Sequence, residues 1–299
     1  MSKSKSRTVN TTAMQKKIAE QRAAEARRRQ IRLAATGIGV VVALFAVLII
    51  VKVAGGNSKQ SSTVATPSNS SVTAQVVSEV TSVPASTFSA VGAGGVAIPT
   101  KAITGAQPLT SGGKPEIVYM GAEYCPYCAA ERWPLIVALS RFGTFNGLAL
   151  TASSSTDVYP STNTFTFLKS TYTSQYITFT PVELQDVNHN NLQTPTAAEQ
   201  QLLNTYDAAP YVSSEDAGAI PFVDFGNEFM LSGASYSPQI LAGMTWSSIA
   251  STLTNASSPV AQNIDGTANQ LTAAICKMTN DQPASVCSTS TITGLQAKL

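Results

Sequence analysis

Two of the chain's four cysteines, Cys125 and Cys128, stand with two residues between them in GAEYCPYCAAERW, residues 121–133. Close cysteine pairs serve metal binding, structural disulfides or reversible thiol–disulfide exchange. Tetrahedral zinc wants four ligands, usually as two such pairs. Here the other cysteines, Cys276 and Cys287, have ten residues between them, and the single histidine is His189. A metal site would therefore need a fold that gathers distant residues, and none is expected. A purely structural disulfide across CPYC would close a loop too short to gain much by constraining the unfolded chain. Exchange uses every residue of the motif. Cys125 falls at a predicted helix start, where unpaired amides and the helix dipole favour the thiolate. Pro126 has no amide hydrogen to lose in a first helical turn. Cys128, one turn inward, is placed to attack a mixed disulfide and release the substrate.

The elements that must position this pair follow from periodicity. Residues 117–120 read as a strand that Gly121 begins to leave. In CAAERWPLIVALSRFG, Ala129, Trp133, Ile136, Val137 and Ser140 recur at helical spacing, with Pro134 as a bend and Gly143 as a stop. FNGLALTASSS from residue 145 reads as the next strand, and ITFTPVEL as another, interrupted by Pro181. Residues 196–208 form a helix with Thr194 or Thr196 as its cap. AIPFVDFGN and EFMLSG read as two strands joined at Gly226–Asn227. Helical runs near 238–254 and 266–278 follow. The order predicts an α/β layered fold with a mixed sheet.

Composition divides the rest of the chain. Residues 1–32 carry ten Lys and Arg against two Glu, whereas everything after Lys52 has eight basic and fifteen acidic residues. Between them, residues 33–51 hold no charge, and as a helix they would reach about 28 Å, close to the thickness of a bilayer core. Arg27, Arg28, Arg29 and Arg32 precede this segment and only Lys52 closely follows it. The positive-inside rule then keeps the N-terminus cytoplasmic and places the body outside the cell membrane as a single-pass protein. A cleaved signal peptide is the rival reading, but the basic region is long and no strong small-residue cleavage site follows. Topology and contact with anionic lipid account for the basic tail, so no nucleic-acid partner is expected.

The domain plan is thus a basic cytoplasmic tail over 1–32, a transmembrane helix over 33–51 and a Ser/Thr-rich flexible linker over 52–75. An N-terminal helical extension covers 76–113, the α/β domain with its insert 114–254, and a C-terminal helix with a disulfide-stapled tail 255–299.

The strand–CPYC–helix run, together with GAIPFVDF, resembles the thioredoxin superfamily. CPYC matches the glutaredoxin dipeptide and differs from the CPHC of periplasmic oxidants at Tyr127. The resemblance covers roughly residues 114–254, with an enlarged insert at about 154–212. It implies a thioredoxin-like fold in which a cis-proline loop, here Ile220–Pro221, faces the cysteines and binds substrate backbone. Tyr124, Pro126 and Tyr127 would join that loop in binding substrate, with Trp133 nearby. The whole chain also resembles an uncharacterised family of membrane-anchored thioredoxin-like proteins from archaea and actinobacteria. One departure matters. The family usually carries a buried acid six residues before the first cysteine, and that position is Tyr119 here. Glu116, Tyr119 and Glu123 are the candidates for a proton relay.

Outside the cytoplasm, Cys276 and Cys287 are free to form a structural disulfide, with an electron shuttle to the CPYC pair as the alternative. His189 reads as a solvated loop side chain unless the insert folds back over the cysteines. The resemblance implies an extracytoplasmic thiol–disulfide oxidoreductase in which Cys125 attacks and Cys128 resolves. Its partners would be protein substrates with cysteines and a membrane redox partner; no cofactor is needed. The alternative is a non-catalytic thioredoxin-fold binding or chaperone-like module of the cell envelope.

Overall fold

The computed structural model describes residues 70–97 and 99–299. The tail, the apolar segment 33–51 and the linker up to residue 69 lie outside the described residues. Among the described residues, no helix is long and apolar enough to cross a membrane.

Two helices, α1 (Ser70–Thr81) and α2 (Ala85–Val91), lead into strands β1 (Lys101–Ala102), β2 (Thr110–Ser111) and β3 (Lys114–Gly121). Helix α3 (Pro126–Leu139) follows, then β4 (Gly143–Asn146), β5 (Ala149–Ala152), β6 (Asn163–Thr166), β7 (Thr171–Ser174) and β8 (Thr178–Glu183). Helix α4 (Ala197–Tyr206) precedes β9 (Phe222–Phe225) and β10 (Phe229–Ser232). The chain ends with α5 (Trp246–Thr252), α6 (Pro259–Met278), α7 (Ala284–Cys287) and α8 (Ser290–Gln296).

The main sheet runs β1-β10-β9-β3, with β8 on the other edge of β3 and β2 pairing with the first two residues of β3. Only β3 and β8 run parallel in it. Its two faces separate by the two-residue period of the strands. Ile117, Tyr119, Val223, Phe225, Phe229 and Leu231 point into the large core with α3 and α6. Met120, Phe222 and Met230 point the other way, where Leu202, Leu203 and Tyr206 of α4 cover them. The Gly226–Asn227 turn joins β9 to β10 with φ of 68° and 57°, the left-handed pair that a tight hairpin needs.

The single strand expected from residue 145 is two strands that leave the main sheet. Gly147, at φ 76°, breaks the run, and β4 pairs with β7 while β5 pairs with β6. The helix expected over 238–254 is likewise divided. A 3₁₀ turn over Pro238–Leu241 ends before Gly243, and Thr245 then caps α5. Helix α6 starts seven residues earlier than its periodicity predicts, because Ser258 caps it and Pro259 occupies its first position. Strand β8 continues through Pro181 as an edge strand, where a missing amide hydrogen can face away from the ladder.

The flanks belong to the body. Helix α1 begins inside the stretch read as linker, and Val76, Val80 and Phe88 enter the same core as α3 and α6. Asn269 of α6 donates to the Phe88 and Gly92 carbonyls, and Gln270 donates to those of Ala93 and Val96. At their crossing, Gly94 and Gly266 come so close that a Cβ on either would overlap the other's backbone. Residues 76–113 and 255–299 are therefore structural parts of the α/β body.

Candidate functional site

Helix α3 is buried on every side except at Tyr127, which fixes its register. Its interior proline leaves the Ala130 carbonyl without the helical amide that residue 134 would donate. The Tyr236 hydroxyl donates to that carbonyl at 2.7 Å instead. The helix thus keeps its course and presents its N-terminus at the end of β3.

Cys125 is the N-cap, with extended φ and ψ of −76° and 120°. Its Sγ accepts the Cys128 amide hydrogen at 3.3 Å, one of the amides with no helical partner. Both cysteines are free thiols. Cys125 retains 5% of its surface and Cys128 none. The Cys125 thiol is pulled down to about 7, first by a hydrogen bond from the Cys128 side chain and against the effect of burial. Burial pushes Cys128 well up. The two thiols are therefore unequal: one poised to ionise near neutrality, one protonated behind it.

Ile220 comes to the pair from 95 residues away. Cys125 Sγ lies 3.7 Å from the Ile220 carbonyl oxygen, and the Ile220–Pro221 bond is cis and leads into β9. Ala122, Cys125 and Cys128 share a small cluster with Tyr124, Leu184 and Ile220. Pro126 is buried at the first helical position.

The proton-relay candidates fare differently. Tyr119 is fully buried and its phenol oxygen has no hydrogen-bond partner. Burial raises its pKa well above the ordinary value, so the phenol is held protonated. Gly121 is required beside it, because a Cβ there would overlap the Tyr119 hydroxyl. Glu116 is not brought to the pair. It lies five residues up an extended strand, about 16 Å from Gly121, and accepts from Thr180 at 2.6 Å. Glu123 stays in the loop, half-buried, two residues before Cys125.

The charges beneath the cysteines come from elsewhere. Arg132, one helical turn beyond Cys128, donates to both Glu183 oxygens at 3.0 and 2.6 Å and to the Ala122 carbonyl at 2.9 Å. The Glu183 carboxylate also accepts the Phe167 amide at 3.1 Å. Both side chains are fully buried, a bidentate geometry that suits guanidinium and carboxylate. Burial opposes the Arg132 charge, but Glu183 outweighs it and holds the group above its ordinary pKa. The guanidinium in turn favours the thiolate of both cysteines and sits 5.7 Å from the Tyr119 ring centre. Sequence reasoning passed over this pair. A signal existed: Glu131 and Arg132 are the only charges in α3. The neighbouring Glu131 serves another face, where Ser235 donates to it through its amide and hydroxyl.

Aromatic side chains edge the pair. Tyr124 meets the ring of His189 with centres 4.0 Å apart and a tilt of 34°, so part of the insert folds back beside Tyr124, while the histidine stays an exposed loop side chain. Tyr127, 41% exposed, meets Tyr159 edge-on at 5.8 Å. Trp133, expected near the groove, is instead buried against Phe165 and donates to the Asn163 carbonyl. Cys276 and Cys287 form a buried disulfide, Cα to Cα 5.6 Å, which ties the end of α6 to α7.

Neither a curated protein nor a solved structure matches the chain. A family model described as a domain of unknown function (DUF929) matches residues 101–277, more than half of the chain, and the chain belongs to that family.

Proposed function

We propose that the protein is a membrane-anchored thiol–disulfide oxidoreductase with a thioredoxin-like body outside the cell. The observation that carries the reading is the inequality of the two thiols at the start of α3. Cys125 caps the helix with a thiol drawn down to about 7, while Cys128 lies fully buried one turn behind it. The strand order β10-β9-β3-β8, with α3 after β3 and α6 after β10, supports the thioredoxin-like part of the reading. The Ile220 carbonyl beside Cys125 supports a role for that loop in holding substrate backbone. The uncharged segment 33–51 with its basic flank supports the anchor and its orientation.

In the first step the Cys125 thiolate attacks one sulfur of a substrate disulfide. A mixed disulfide forms, and the other substrate sulfur leaves as a thiolate that takes a proton. Cys128 then attacks Cys125 Sγ and expels the second substrate sulfur as a thiolate, which takes up the proton that Cys128 gives up. The substrate is reduced by two electrons and the Cys125–Cys128 pair is oxidised. The same steps in reverse oxidise a substrate dithiol. Tyr124 and Ile220 pack against the attacking cysteine, Tyr127 and Pro221 follow closely in the chain, and the Arg132 charge favours the thiolate.

The test is the reduction potential of the Cys125–Cys128 pair in the full chain, equilibrated against glutathione or dithiothreitol and trapped by alkylation. A value near −120 mV assigns disulfide formation, and one near −270 mV assigns reduction, on the approximate scale of known exchangers. A second reading, a binding module with an inert pair, is favoured by the 5% exposure of Cys125. A pair that never exchanges in the folded protein would establish that reading instead.

A further inference from the structure

Among the described residues, two large apolar side chains stand exposed, Tyr127 at 41% and Val158 at 69%. Tyr127 belongs to the cysteine motif, and Val158 to the loop that meets it. Tyr127 lies between the cysteines, and Val158 adjoins Tyr159, whose ring meets that of Tyr127. Exposed apolar side chains scattered singly need no explanation, but their concentration at a reactive sulfur does.

The backbone shows that this edge is built. Two stretches of the insert hydrogen-bond to consecutive residues just before Cys125. Ser154 donates its amide to the Tyr124 carbonyl at 2.9 Å, and Glu123 donates its amide to the Gln185 carbonyl at 2.8 Å. The first stretch carries Val158 and Tyr159. The second is a hairpin closed by the Gln185–Asn191 bridge, and it sets His189 on Tyr124. Acidic groups accompany the rings. Asp157 accepts the Val158 amide at 2.6 Å and its charge is felt by both Tyr124 and Tyr127. Residues 70–299 as a whole hold seven Lys and Arg against fifteen Asp and Glu.

We propose that this rim selects substrates: it takes an extended polypeptide whose cysteine has both a large aliphatic or aromatic residue and a basic residue close beside it in sequence. The inference rests on reading Cys125 as an exchanging thiol. Tyr127, Tyr159 and Val158 offer apolar area to the apolar neighbour. Asp157, in the same loop, offers charge complementarity to the basic one and repels an acidic one. The Ile220 carbonyl accepts from the Cys125 thiol, and ionisation of that thiol frees it for an extended backbone lying across Cys125.

Short peptides with one cysteine, each joined to glutathione as a mixed disulfide, test this with the full chain in detergent. Attack by the Cys125 thiolate on the peptide sulfur forms the Cys125–peptide disulfide and expels glutathione as a thiolate that is then protonated. The Cys128→Ser variant retains the adduct, so mass spectrometry identifies the peptide taken. Peptides with Phe or Leu and Lys beside the cysteine are expected to react about tenfold faster than those with Ser and Glu, each measured relative to glutathione disulfide. That preference is expected to fall at least about threefold in Val158→Ser and in Tyr159→Ser. Val158 is exposed, so its replacement does not threaten folding. Equal rates for all peptides, or a preference that survives both substitutions, would overturn the substrate class while leaving exchange at Cys125 intact. A wild-type chain that exchanges with neither the peptides nor glutathione disulfide would overturn the oxidoreductase reading and this inference with it.

Discussion

The two cysteine pairs use the same side chain under opposite physical conditions. Cys125 and Cys128 sit at the start of a helix as free thiols, with a buried guanidinium beneath them and aromatic rings at their edge. Cys276 and Cys287 join the end of one helix to the next as a disulfide with 0% and 1% of their surfaces exposed. A helix N-terminus and a nearby cation lower the cost of a thiolate, whereas a sulfur already bonded to its partner has no thiol to ionise. Chemistry at a cysteine is decided less by the residue than by the dipoles and charges its neighbours aim at it.

Substitution at the sulfurs should separate the pairs most sharply. Cys125→Ser is expected to abolish exchange with glutathione disulfide, and Cys128→Ser to accumulate the mixed disulfide on Cys125, both read by mass spectrometry after acid trapping. Cys276→Ala with Cys287→Ala should leave exchange in place; loss of exchange there would make the second pair an electron shuttle. The next largest effect belongs to the ion pair. Arg132→Met leaves the Glu183 charge buried alone and is expected to cost about 3–5 kcal/mol in urea unfolding. Arg132→Met combined with Glu183→Leu should restore much of that stability, while the Cys125 pKa, lowered first by the hydrogen bond with Cys128, should rise only in part. A Cys125 pKa that does not move would remove Arg132 from any part in thiolate stabilisation.

Removing the Cys276–Cys287 link, with its sequence separation of 11, should lower stability by about 2–3 kcal/mol without moving Cys125 chemistry. The smallest effect is on pH dependence. Cys125 lies at about 7, below its ordinary value near 9, so its thiolate fraction rises as pH passes 7. Alkylation by iodoacetamide should reach half its maximal rate near pH 7, and near pH 9 in the unfolded chain. By linkage, ionisation of Cys125 contributes stability that is fully present above pH 9 and is lost as pH falls through 7. An alkylation midpoint that does not change on unfolding would show that the fold does nothing for this thiol.

Local instructions were readable because their physics spans a few residues. CPYC announces a helix start, since a capping group and a proline act on amides within one turn. Thr196 caps α4 through a reciprocal bond with Glu199, and Gly226–Asn227 supplies the hairpin turn, both legible as short patterns. The alternation that sorts β9 and β10 onto two cores is likewise written in single strands. Residues 145–152 misled because Phe145 and the apolar run from Leu148 read as one strand across Asn146 and Gly147, whose left-handed glycine ends the first strand. The C-terminal run misled because periodicity cannot say what a helix packs against.

Only the tertiary structure decided what surrounds the sulfurs. Arg132 meets Glu183 across 51 residues, Cys125 meets the Ile220 carbonyl across 95, and His189 reaches Tyr124 across the insert. None of these meetings has a sequence period, because each depends on where the sheet order, the buried register of α3 and the closure of long loops bring separate strands. The sequence by itself determined that Cys125 begins a helix with Cys128 one turn inside. The fold decided which charge lies under that helix and which rings stand at its mouth, since electrostatics and packing act through space rather than along the chain.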